Sequence, residues 1–439
     1  MKRLIVLGGG VSGYGSAILA KKEGFDVLLS DSGTLAPKYT ALLEEWGVEY
    51  EQGGHSVERI LAADEVIKSP GIPDKAPLIV ELRKRGVSVI SEIEFAGRYM
   101  RGARSICITG SNGKTTTTSL IYKILCDAGY SVALGGNIGE SFAYSVATRE
   151  VDWYVLELSS FQLDGMSEFR ADVSVLLNIT PDHLDRYDYK FENYVASKMR
   201  IEQNQRPEDT FVYFSDDTNI TPTGAARRLP FSNAAMDESG CVAVGGATIC
   251  SGQLQIPGLH NCLNAQAALL AAQAAGVAEE DILRSIYNFS PVEHRLEPAG
   301  TLDGVLYIND SKATNVDSTW YALESMSSPV IWIAGGTDKG NDYAPLMELA
   351  QRSVKVLICM GLDNAKLEHS FAGVVPTIIS TSSMEEAMEY ARREAVEGDA
   401  VLLSPACASF DLFNNYEHRG RMFKEWVAQQ MSGVSNKSC

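Results

Sequence analysis

One segment constrains the fold of this chain more than any other: an apolar strand that runs into a glycine loop and then into a helix. It reads Ile106-Cys-Ile-Thr-Gly-Ser-Asn-Gly-Lys-Thr-Thr116. Glycines let backbone N–H groups approach phosphate oxygens, and the N-terminus of a helix favours an anion. The segment therefore predicts a nucleotide-binding α/β domain.

Individual residues of this loop fit the phosphates and the Mg²⁺ ion of ATP. Lys114 adds positive charge, and the Thr115 hydroxyl can reach the metal. The loop is shorter than the general G-x-x-x-x-G-K-[ST] pattern, whose first glycine would fall at Ile108. The residues predicted to bind the nucleotide here are Gly110, Ser111, Asn112, Gly113, Lys114, Thr115 and Thr116.

Strand and helix patterns alternate along all 439 residues and predict an α/β protein of three domains. The domains are expected at residues 1–100, 101–291 and 292–439, with the second boundary in a segment that carries two prolines. A central P-loop-type ATPase domain would lie between two Rossmann-like domains. A strand at Val173 to Thr180 and a helix at Asn264 to Ala275 are expected in the central domain.

Composition excludes several classes of function. A net charge of −18 opposes binding to nucleic acid, which proteins hold mainly through Lys and Arg. No apolar run is long enough to span a membrane. The eight cysteines are scattered without a CxxC pair, so we expect reduced thiols in the cytoplasm, with no zinc site and no disulfide framework.

Three further residues of the central domain follow the nucleotide loop. Glu157 closes an apolar strand, where a carboxylate is well placed to hold Mg²⁺. His183 follows another strand, and Lys198 lies in a helix predicted from Phe191 to Gln203. The alternatives are a solvated strand-end acid, a structural histidine and a surface lysine.

The first domain carries a second glycine loop, Gly8-Gly-Gly-Val-Ser-Gly13, with Asp31 at the end of the next strand. This pattern is typical of dinucleotide binding, but the same geometry can hold any diphosphate. The glycines could also serve only a tight turn. Residues of this loop therefore predict either a nicotinamide cofactor or another diphosphate ligand.

The nucleotide loop resembles that of the Mur ligase family. Motifs similar to those of its D-glutamate-adding member follow in that member's order across all three domains: Gly135-Gly-Asn-Ile-Gly139, Glu157-Leu-Ser-Ser-Phe-Gln-Leu163, Asp182-His-Leu-Asp-Arg-Tyr187, Asn309-Asp-Ser-Lys-Ala-Thr-Asn315 and Leu403-Ser-Pro-Ala-Cys-Ala-Ser409. The resemblance implies a monomeric, cytoplasmic ligase that uses ATP and two Mg²⁺ ions. It implies that UDP-N-acetylmuramoyl-L-alanine and D-glutamate are joined through an acyl phosphate.

The resemblance also implies a role for each matching residue. Lys114, His183, Lys198 and Lys312 would be catalytic. The metal ligands would be Thr115, Glu157, His183 and Lys198, the last as a carbamate. The adenosine part of ATP would be held by Asn264, Arg295 and Asp310. The UDP substrate would be bound by Val11, Ser12, Asp31, Ser32, Ser69, Pro70, Gly71, Asn137, Ser159 and His183. D-Glutamate would be bound by Thr314, Lys339, Ser409 and Tyr416.

Two positions depart from the family's pattern: Gly33 stands where a basic side chain is familiar, and Tyr416 stands where phenylalanine is familiar. Three other functions remain open at this point. They are another amide ligase of the family such as folylpolyglutamate synthase, a nicotinamide oxidoreductase, and a nucleotide-binding regulator without catalysis.

Overall fold

The computed structural model describes residues 2–233, 236–237, 239–256, 258–290, 293–326, 328–338 and 340–435, without the side chains of residues 185, 317 and 433–435. The described chain divides into two compact units. The first contains residues 1–254 and 262–289, and the second contains residues 255–261 and 290–439.

The first unit begins with a five-stranded parallel sheet of order β3-β2-β1-β4-β5. Its strands and helices alternate in the order β1 Arg3–Leu7, α1 Val11–Lys22, β2 Asp26–Ser30, α2 Pro37–Glu45, β3 Glu49–Glu51, α3 Val57–Leu61, β4 Glu65–Lys68, α4 Pro77–Lys84, β5 Ser88–Ile90 and α5 Glu92–Gly97. The strands β2 and β3 are added on one side of β1, and β4 and β5 on its other side, so the strand order reverses between β1 and β4. Ligands of open α/β sheets bind at the carboxyl ends of strands beside such a reversal.

A six-stranded parallel sheet of order β11-β10-β9-β6-β8-β7 follows in the same unit. Its elements are β6 Arg104–Thr109, α6 Lys114–Asp127, β7 Val132–Gly136, α7 Phe142–Thr148, β8 Trp153–Glu157, α8 Ser160–Asp164, β9 Val173–Leu176, α9 Phe191–Met199, β10 Thr210–Phe214 and β11 Arg227–Phe231, with 3₁₀ turns at Leu184–Arg186 and Arg200–Glu202. The central strands are buried on both faces, which explains why they read as continuous apolar runs.

These two sheets share one hydrophobic core. Apolar residues of α1 and α5 from the first sheet pack in the same buried cluster as residues of α7 and β8 from the second. Polar contacts join the same layers, since the Tyr14 hydroxyl donates a hydrogen bond of 2.8 Å to Glu140 and Lys22 donates to the carbonyl of Ala147. The boundary expected near residue 100 is therefore a packed interface within one unit.

A hairpin and two helices follow, and the hairpin corrects one expectation. The hairpin consists of β12 Cys241–Val244 and β13 Ala247–Cys250, joined by two glycines with positive φ. Cys241 lies opposite Cys250 across the strands, and the two sulfurs form a disulfide. The expectation that the thiols are all reduced was wrong here, because strand pairing brings together two cysteines that are nine residues apart. Helices α10 Leu259–Ala274 and α11 Glu279–Tyr287 follow.

The second unit contains a six-stranded sheet of order β14-β15-β19-β16-β17-β18, in which only the edge strand β14 runs antiparallel among the described strands. Its elements are β14 Glu297–Leu302, β15 Val305–Asn309, α12 Val316–Glu324, β16 Val330–Ala334, α13 Met347–Ser353, β17 Val354–Met360, α14 Ala365–Phe371, β18 Thr377–Thr381, α15 Met384–Glu394, β19 Ala400–Leu403 and α16 Tyr416–Ser435. Separate apolar clusters cover the two faces of this sheet.

Two element bounds differ from the sequence-based expectation in ways that affect the site. Strand β9 ends at Leu176 rather than at residue 180, so Asn178 and Thr180 belong to the loop beyond it. Helix α10 begins at Leu259, which places Asn264 inside the helix rather than at its start. In the described part of the chain, no helix has the length and apolar character needed to cross a membrane.

Candidate active site

The loop between β6 and α6 requires glycine at its last position. Gly113 has a φ of +81° and precedes the first residue of α6 without offering a side-chain cap. A Cβ atom added there would lie 2.3 Å from Oδ1 of Asn264. Gly113 therefore has no side chain that could accept hydrogen bonds from the N–H groups in the first turn of α6. An anion-binding helix end uses these N–H groups to hold the anion.

Lys114 and Ser111 fix the shape of this loop. The Lys114 ammonium donates hydrogen bonds to the carbonyls of Gly110 (2.7 Å) and Ser111 (2.8 Å). The Ser111 hydroxyl donates to the carbonyl of Thr180 at 2.8 Å. The positive charge of Lys114 is thus held directly over the backbone of the loop.

Glu157 lies at the centre of a buried polar cluster. Its carboxylate accepts hydrogen bonds from the Thr115 hydroxyl (2.7 Å) and from the side-chain amide of Asn137 (2.8 Å). Glu157 and Thr115 are both buried. Glu157 ends β8, and Thr115 lies in the first turn of α6, the helix that follows the adjacent strand β6. The structure therefore brings together a hydroxyl and a carboxylate beside the nucleotide loop.

Lys198 is buried and faces the same loop. Its amine donates to the carbonyl of Gly110 (2.7 Å) and to the Thr109 hydroxyl (3.2 Å). Burial, aided by the charge of Lys114, holds the pKa of Lys198 well below its usual range. The surface-lysine alternative is wrong, because this side chain is 2% exposed.

His183 lies in the loop between β9 and α9, with a φ of +53°. Its ring packs edge-on against Phe161, with centroids 5.2 Å apart, and its Nε2 lies 3.5 Å from the Asp182 carboxylate. Phe161 belongs to α8, the helix that begins three residues after Glu157. Ser159 caps α8, because its hydroxyl accepts a hydrogen bond from the N–H of Gln162.

Two residues of this site were missed from the sequence. The Asn178 side chain accepts a hydrogen bond of 2.8 Å from the Asn112 N–H, and the Tyr194 hydroxyl lies 3.2 Å from the Ser111 hydroxyl. Asn178 follows β9 at the carboxyl edge of the sheet, so its position beyond a buried strand was the available signal. Tyr194 lies four residues before Lys198, hence on the same face of α9.

The first sheet forms its crevice from the loops after β1, β2 and β4. The Asp31 carboxylate accepts hydrogen bonds from the N–H groups of Gly9 (2.6 Å) and Gly33 (2.7 Å). Ser69 donates its N–H to Leu7 and its hydroxyl to Gly8. The predicted substrate residues of this sheet occupy these loops and the first turn of α1, namely Val11, Ser12, Asp31, Ser32, Ser69, Pro70 and Gly71.

In the second unit, Asp310 follows β15 and is fully buried. It accepts hydrogen bonds from the Ser404 hydroxyl (2.8 Å) and the Leu296 N–H (3.2 Å). Burial raises its pKa to about 7, and the positive charge of Arg295 opposes this rise. Nε of Arg295 is buried and has no hydrogen-bond partner among the described residues. Arg295 thus offers a buried N–H donor and a positive charge that acts on the Asp310 carboxyl.

The loops after β15 and β19 carry the residues predicted to bind the amino acid. The Lys312 ammonium lies 5.4 Å from the ring centroid of Tyr416, and Ser409 is buried. Arg419, which sequence reasoning missed, is buried and donates to the carbonyls of Ser311 (2.8 Å) and Cys407 (3.3 Å). Thr314 follows in the loop before α12. Lys339, predicted to bind a carboxylate, lies outside the described residues.

The donors beside Glu157 fit a Mg²⁺ ion and nucleotide phosphates. Mg²⁺ prefers oxygen, and the Thr115 hydroxyl and Glu157 carboxylate are buried oxygen donors 2.7 Å apart. In the described residues, no group of three or more His, Cys, Asp or Glu side chains is arranged around a metal position. A complete ligand set here therefore needs oxygens from other groups, such as a hydroxyl, phosphates or a lysine carbamate.

Comparison with known proteins decides the family. Family models for the Mur ligase MurD-like N-terminal domain, the Mur ligase middle domain and the Mur ligase glutamate ligase domain match residues 2–91, 108–272 and 294–407. The chain belongs to the Mur ligase family. The three-domain α/β fold implied by the sequence motifs is thereby confirmed.

Relatives of this Mur ligase are similar to it along almost their whole length. A protein from Christiangramia forsetii named UDP-N-acetylmuramoylalanine--D-glutamate ligase is 51% identical over 441 residues, which cover 97% of this chain and 99% of the relative. The structure of UDP-N-acetylmuramate-alanine ligase MurC from Thermotoga maritima is similar with a TM-score of 0.63 at 19% identity, covering 98% of this chain and 99% of that chain. The structure of MurF ligase from the same organism, solved in complex with ADP, is similar with a TM-score of 0.61 at 16% identity, covering 92% of this chain and 95% of that chain. The two structures show the shared fold.

Proposed function

We propose that this Mur ligase joins D-glutamate to UDP-N-acetylmuramoyl-L-alanine with the conversion of ATP to ADP and phosphate. The name of the 51% identical relative supports the substrates. The observation that carries the chemistry is the buried Thr115–Glu157 pair beside the nucleotide loop, with the amine of Lys198 on the same loop. ADP in the related MurF structure supports the nucleotide.

The loop residues would bind the triphosphate of ATP. The N–H groups at the start of α6 would donate to phosphate oxygens, and the Lys114 ammonium would turn from the loop carbonyls to the transferred phosphoryl group. By the resemblance, Asn264, Arg295 and Asp310 stay the residues predicted to hold the adenosine part. The leftover donor of Arg295 is consistent with a further oxygen acceptor.

Two Mg²⁺ ions would be held by residues of the first unit. Thr115 and Glu157 would hold one ion, and His183 with Lys198 as a carbamate would hold the other. The lowered pKa of Lys198 supports this modification, because only the neutral amine can attack CO₂. Bound metal would neutralise charge that builds on the phosphoryl oxygens.

The acceptor would extend from the first-sheet crevice toward Glu157. Its UDP end would occupy the loops of Val11, Asp31 and Ser69, while Asn137 and Ser159 would position the rest. The D-glutamate would be bound in the second unit by Thr314, Lys339, Ser409 and the backbone N–H of Tyr416.

In the first step, the acceptor carboxylate attacks the γ-phosphorus of ATP, and the bond to ADP breaks. Lys114 stabilises the charge that develops on the transferred group. In the second step, the amine of D-glutamate attacks the carbonyl of the acyl phosphate, the amine loses a proton, and phosphate leaves. Lys312 is positioned by the ring of Tyr416 and would stabilise the departing phosphate. We assign the reaction to the cytoplasm, where ATP is available. That the protein is a monomer stays a prediction.

The test measures phosphate release with ATP, Mg²⁺ and UDP-N-acetylmuramoyl-L-alanine. Release should require the acceptor and D-glutamate, and L-glutamate or other amino acids should not replace it. Lys114→Ala should lose at least about two orders of magnitude in turnover. Lys123 on the same helix forms a surface pair of 2.7 Å with Asp127, so Lys123→Ala should keep turnover within about twofold.

Release without D-glutamate dependence would refute the proposed reaction. Near-normal turnover of Lys114→Ala would refute the role of the loop. Release with a folate substrate in place of the UDP acceptor would favour the folylpolyglutamate alternative, and an absorbance change of NADH would favour an oxidoreductase.

A further inference from the structure

Arg186 occupies a special position in the loop that carries His183. It ends the 3₁₀ turn Leu184–Arg186, and its N–H donates a hydrogen bond of 2.9 Å to the carbonyl of His183. Its side chain leaves this loop and reaches two other segments of the first unit. Arg186 therefore connects the backbone of His183 with its surroundings.

The first contact of the side chain is with the first sheet. One guanidinium nitrogen donates a hydrogen bond of 3.3 Å to the carbonyl of Pro70. Pro70 lies between Ser69 and Gly71, in the loop after β4 that borders the crevice of the sheet. The bond thus crosses from the central sheet's loop to a loop assigned above to the UDP substrate.

The second contact is with α8. The guanidinium carbon lies 4.4 Å from the ring centroid of Phe161, a distance typical of a cation–π interaction. The same ring packs edge-on against the His183 imidazole and lies parallel to the ring of Tyr187. The guanidinium group and the imidazole therefore share one aromatic partner, so displacement of Phe161 would also displace His183.

From these contacts we infer that Arg186 is a positioning residue that couples binding of the acceptor to the orientation of His183. The inference rests on the proposed function, because it assigns a role within that reaction. Arginine suits this role because its planar group can donate along its edge and stack on its face at once, whereas lysine offers a point charge. A residue that only joined the two sheets would need no contact with Phe161 or His183.

The chain offers a matched control for a cation that only joins the sheets. Lys22 at the end of α1 donates to the carbonyl of Ala147 on α7, which is also a cation-to-carbonyl contact between the two sheets. It lies away from the loops of His183 and Pro70. Lys22→Ala should therefore reproduce any effect on stability without an effect on the acceptor.

The experiment compares Arg186→Ala, Arg186→Lys and Lys22→Ala in the full chain. For both Arg186 variants we expect the KM for the acceptor to rise about tenfold, with the KM for ATP and for D-glutamate within about twofold. Turnover should fall about tenfold as well, because His183 loses its fixed orientation. Lys22→Ala should leave all four values within about twofold.

Chemical rescue gives a second readout. A cavity of about 170 Å³ lined by Lys68, Asp74, Asp164 and Arg186 borders this contact, so a guanidinium ion can enter where the side chain has been removed. Guanidinium chloride at about 20 mM should raise kcat/KM of Arg186→Ala at least about threefold, with no gain from NaCl or in Lys22→Ala.

The dissociation constant of the acceptor, measured by calorimetry without ATP, separates this inference from the proposed reaction. An unchanged constant in Arg186→Ala would overturn the inference even if the wild type proved inactive. Equal rises of all three KM values together with a lower melting temperature and no rescue would also overturn it. A wild type that binds the acceptor but releases no phosphate would count against the proposed reaction alone.

Discussion

Substitution of Gly113 by alanine tests the nucleotide loop at a single atom. The added Cβ would lie 2.3 Å from Oδ1 of Asn264 and 3.2 Å from Cδ1 of Leu177. The first distance is about 1 Å shorter than a normal carbon–oxygen contact, so Asn264 or the loop must move. The backbone adds a second cost, because a φ of +81° is unfavourable for alanine by roughly 1–2 kcal/mol.

Gly129 provides the matched control, because it follows the other end of the same helix. Its φ is +88°, and no atom lies within 4 Å of an added Cβ. Gly129→Ala therefore carries the backbone cost without the clash. We expect Gly129→Ala to lose about 1–2 kcal/mol of stability, a fall of roughly 2–8 °C in melting temperature, and Gly113→Ala to lose more, because the clash adds to the backbone cost.

Only Gly113→Ala should affect the nucleotide, since Asn264 is assigned to adenosine and the loop to phosphates. We expect kcat/KM for ATP to fall at least about 100-fold in Gly113→Ala and to stay within about threefold in Gly129→Ala. Phosphate release and differential scanning calorimetry measure the two effects. If both variants lost activity equally, or if Gly113→Ala bound ATP normally, the assignment of this loop would be refuted.

The remaining predictions concern Lys198, Asp310 and Lys339. Lys198→Ala should be nearly inactive and partly restored by acetate or formate, whereas Lys198→Met, which fills the space, should not be restored; wild-type activity without additive would refute the carbamate. The pKa of the Asp310 carboxyl rises from 3.8 to about 7 on folding, so the folded state binds more protons than the unfolded state between these pH values. The contribution of Asp310 to the stability of the fold is therefore present below about pH 4 and is lost as the pH rises through about 7. Asp310→Asn should therefore lessen the difference in melting temperature between pH 5 and pH 8, and an unchanged difference would contradict it. Lys339→Ala should raise the KM for D-glutamate at least about tenfold and leave that for ATP within about threefold; equal effects on both would exclude Lys339 from the amino-acid pocket.

The sequence predicted most of the fold because parallel strands buried on both faces read as short apolar runs. The apolar runs at residues 26–30, 354–360 and 400–403 predict strands, and β2, β17 and β19 have these bounds. The glycine loop predicts a helix that starts at Lys114, where α6 begins. The hairpin around Gly245 and Gly246 was not predicted as such. Its disulfide could not be predicted either, because eight scattered cysteines allow many pairings and only strand register selects one.

Some residues of the site could be predicted from the sequence, and others could not. Motif residues on one loop, such as Lys114 and Thr115, could be assigned together because they are adjacent in sequence. The burial of Lys198 could not be predicted, since a lone lysine in a helix is usually solvated. Arg419 and Asn178 were missed because their partners lie 108 and 66 residues away in the chain. Long-range contacts of this kind leave no periodic pattern.

The shared core of the first two sheets limits how such genes can recombine. Buried residues of α1 and α5 pack against α7 and β8 in a single cluster, although the family models match the two regions separately. A crossover near residue 100 between distant relatives would join α1 and α7 surfaces that had not evolved together, and would leave cavities or overlaps in that core. Residues 290–439 have apolar clusters of their own. Chimaeras made near residue 290 should therefore fold more often than those made near residue 100.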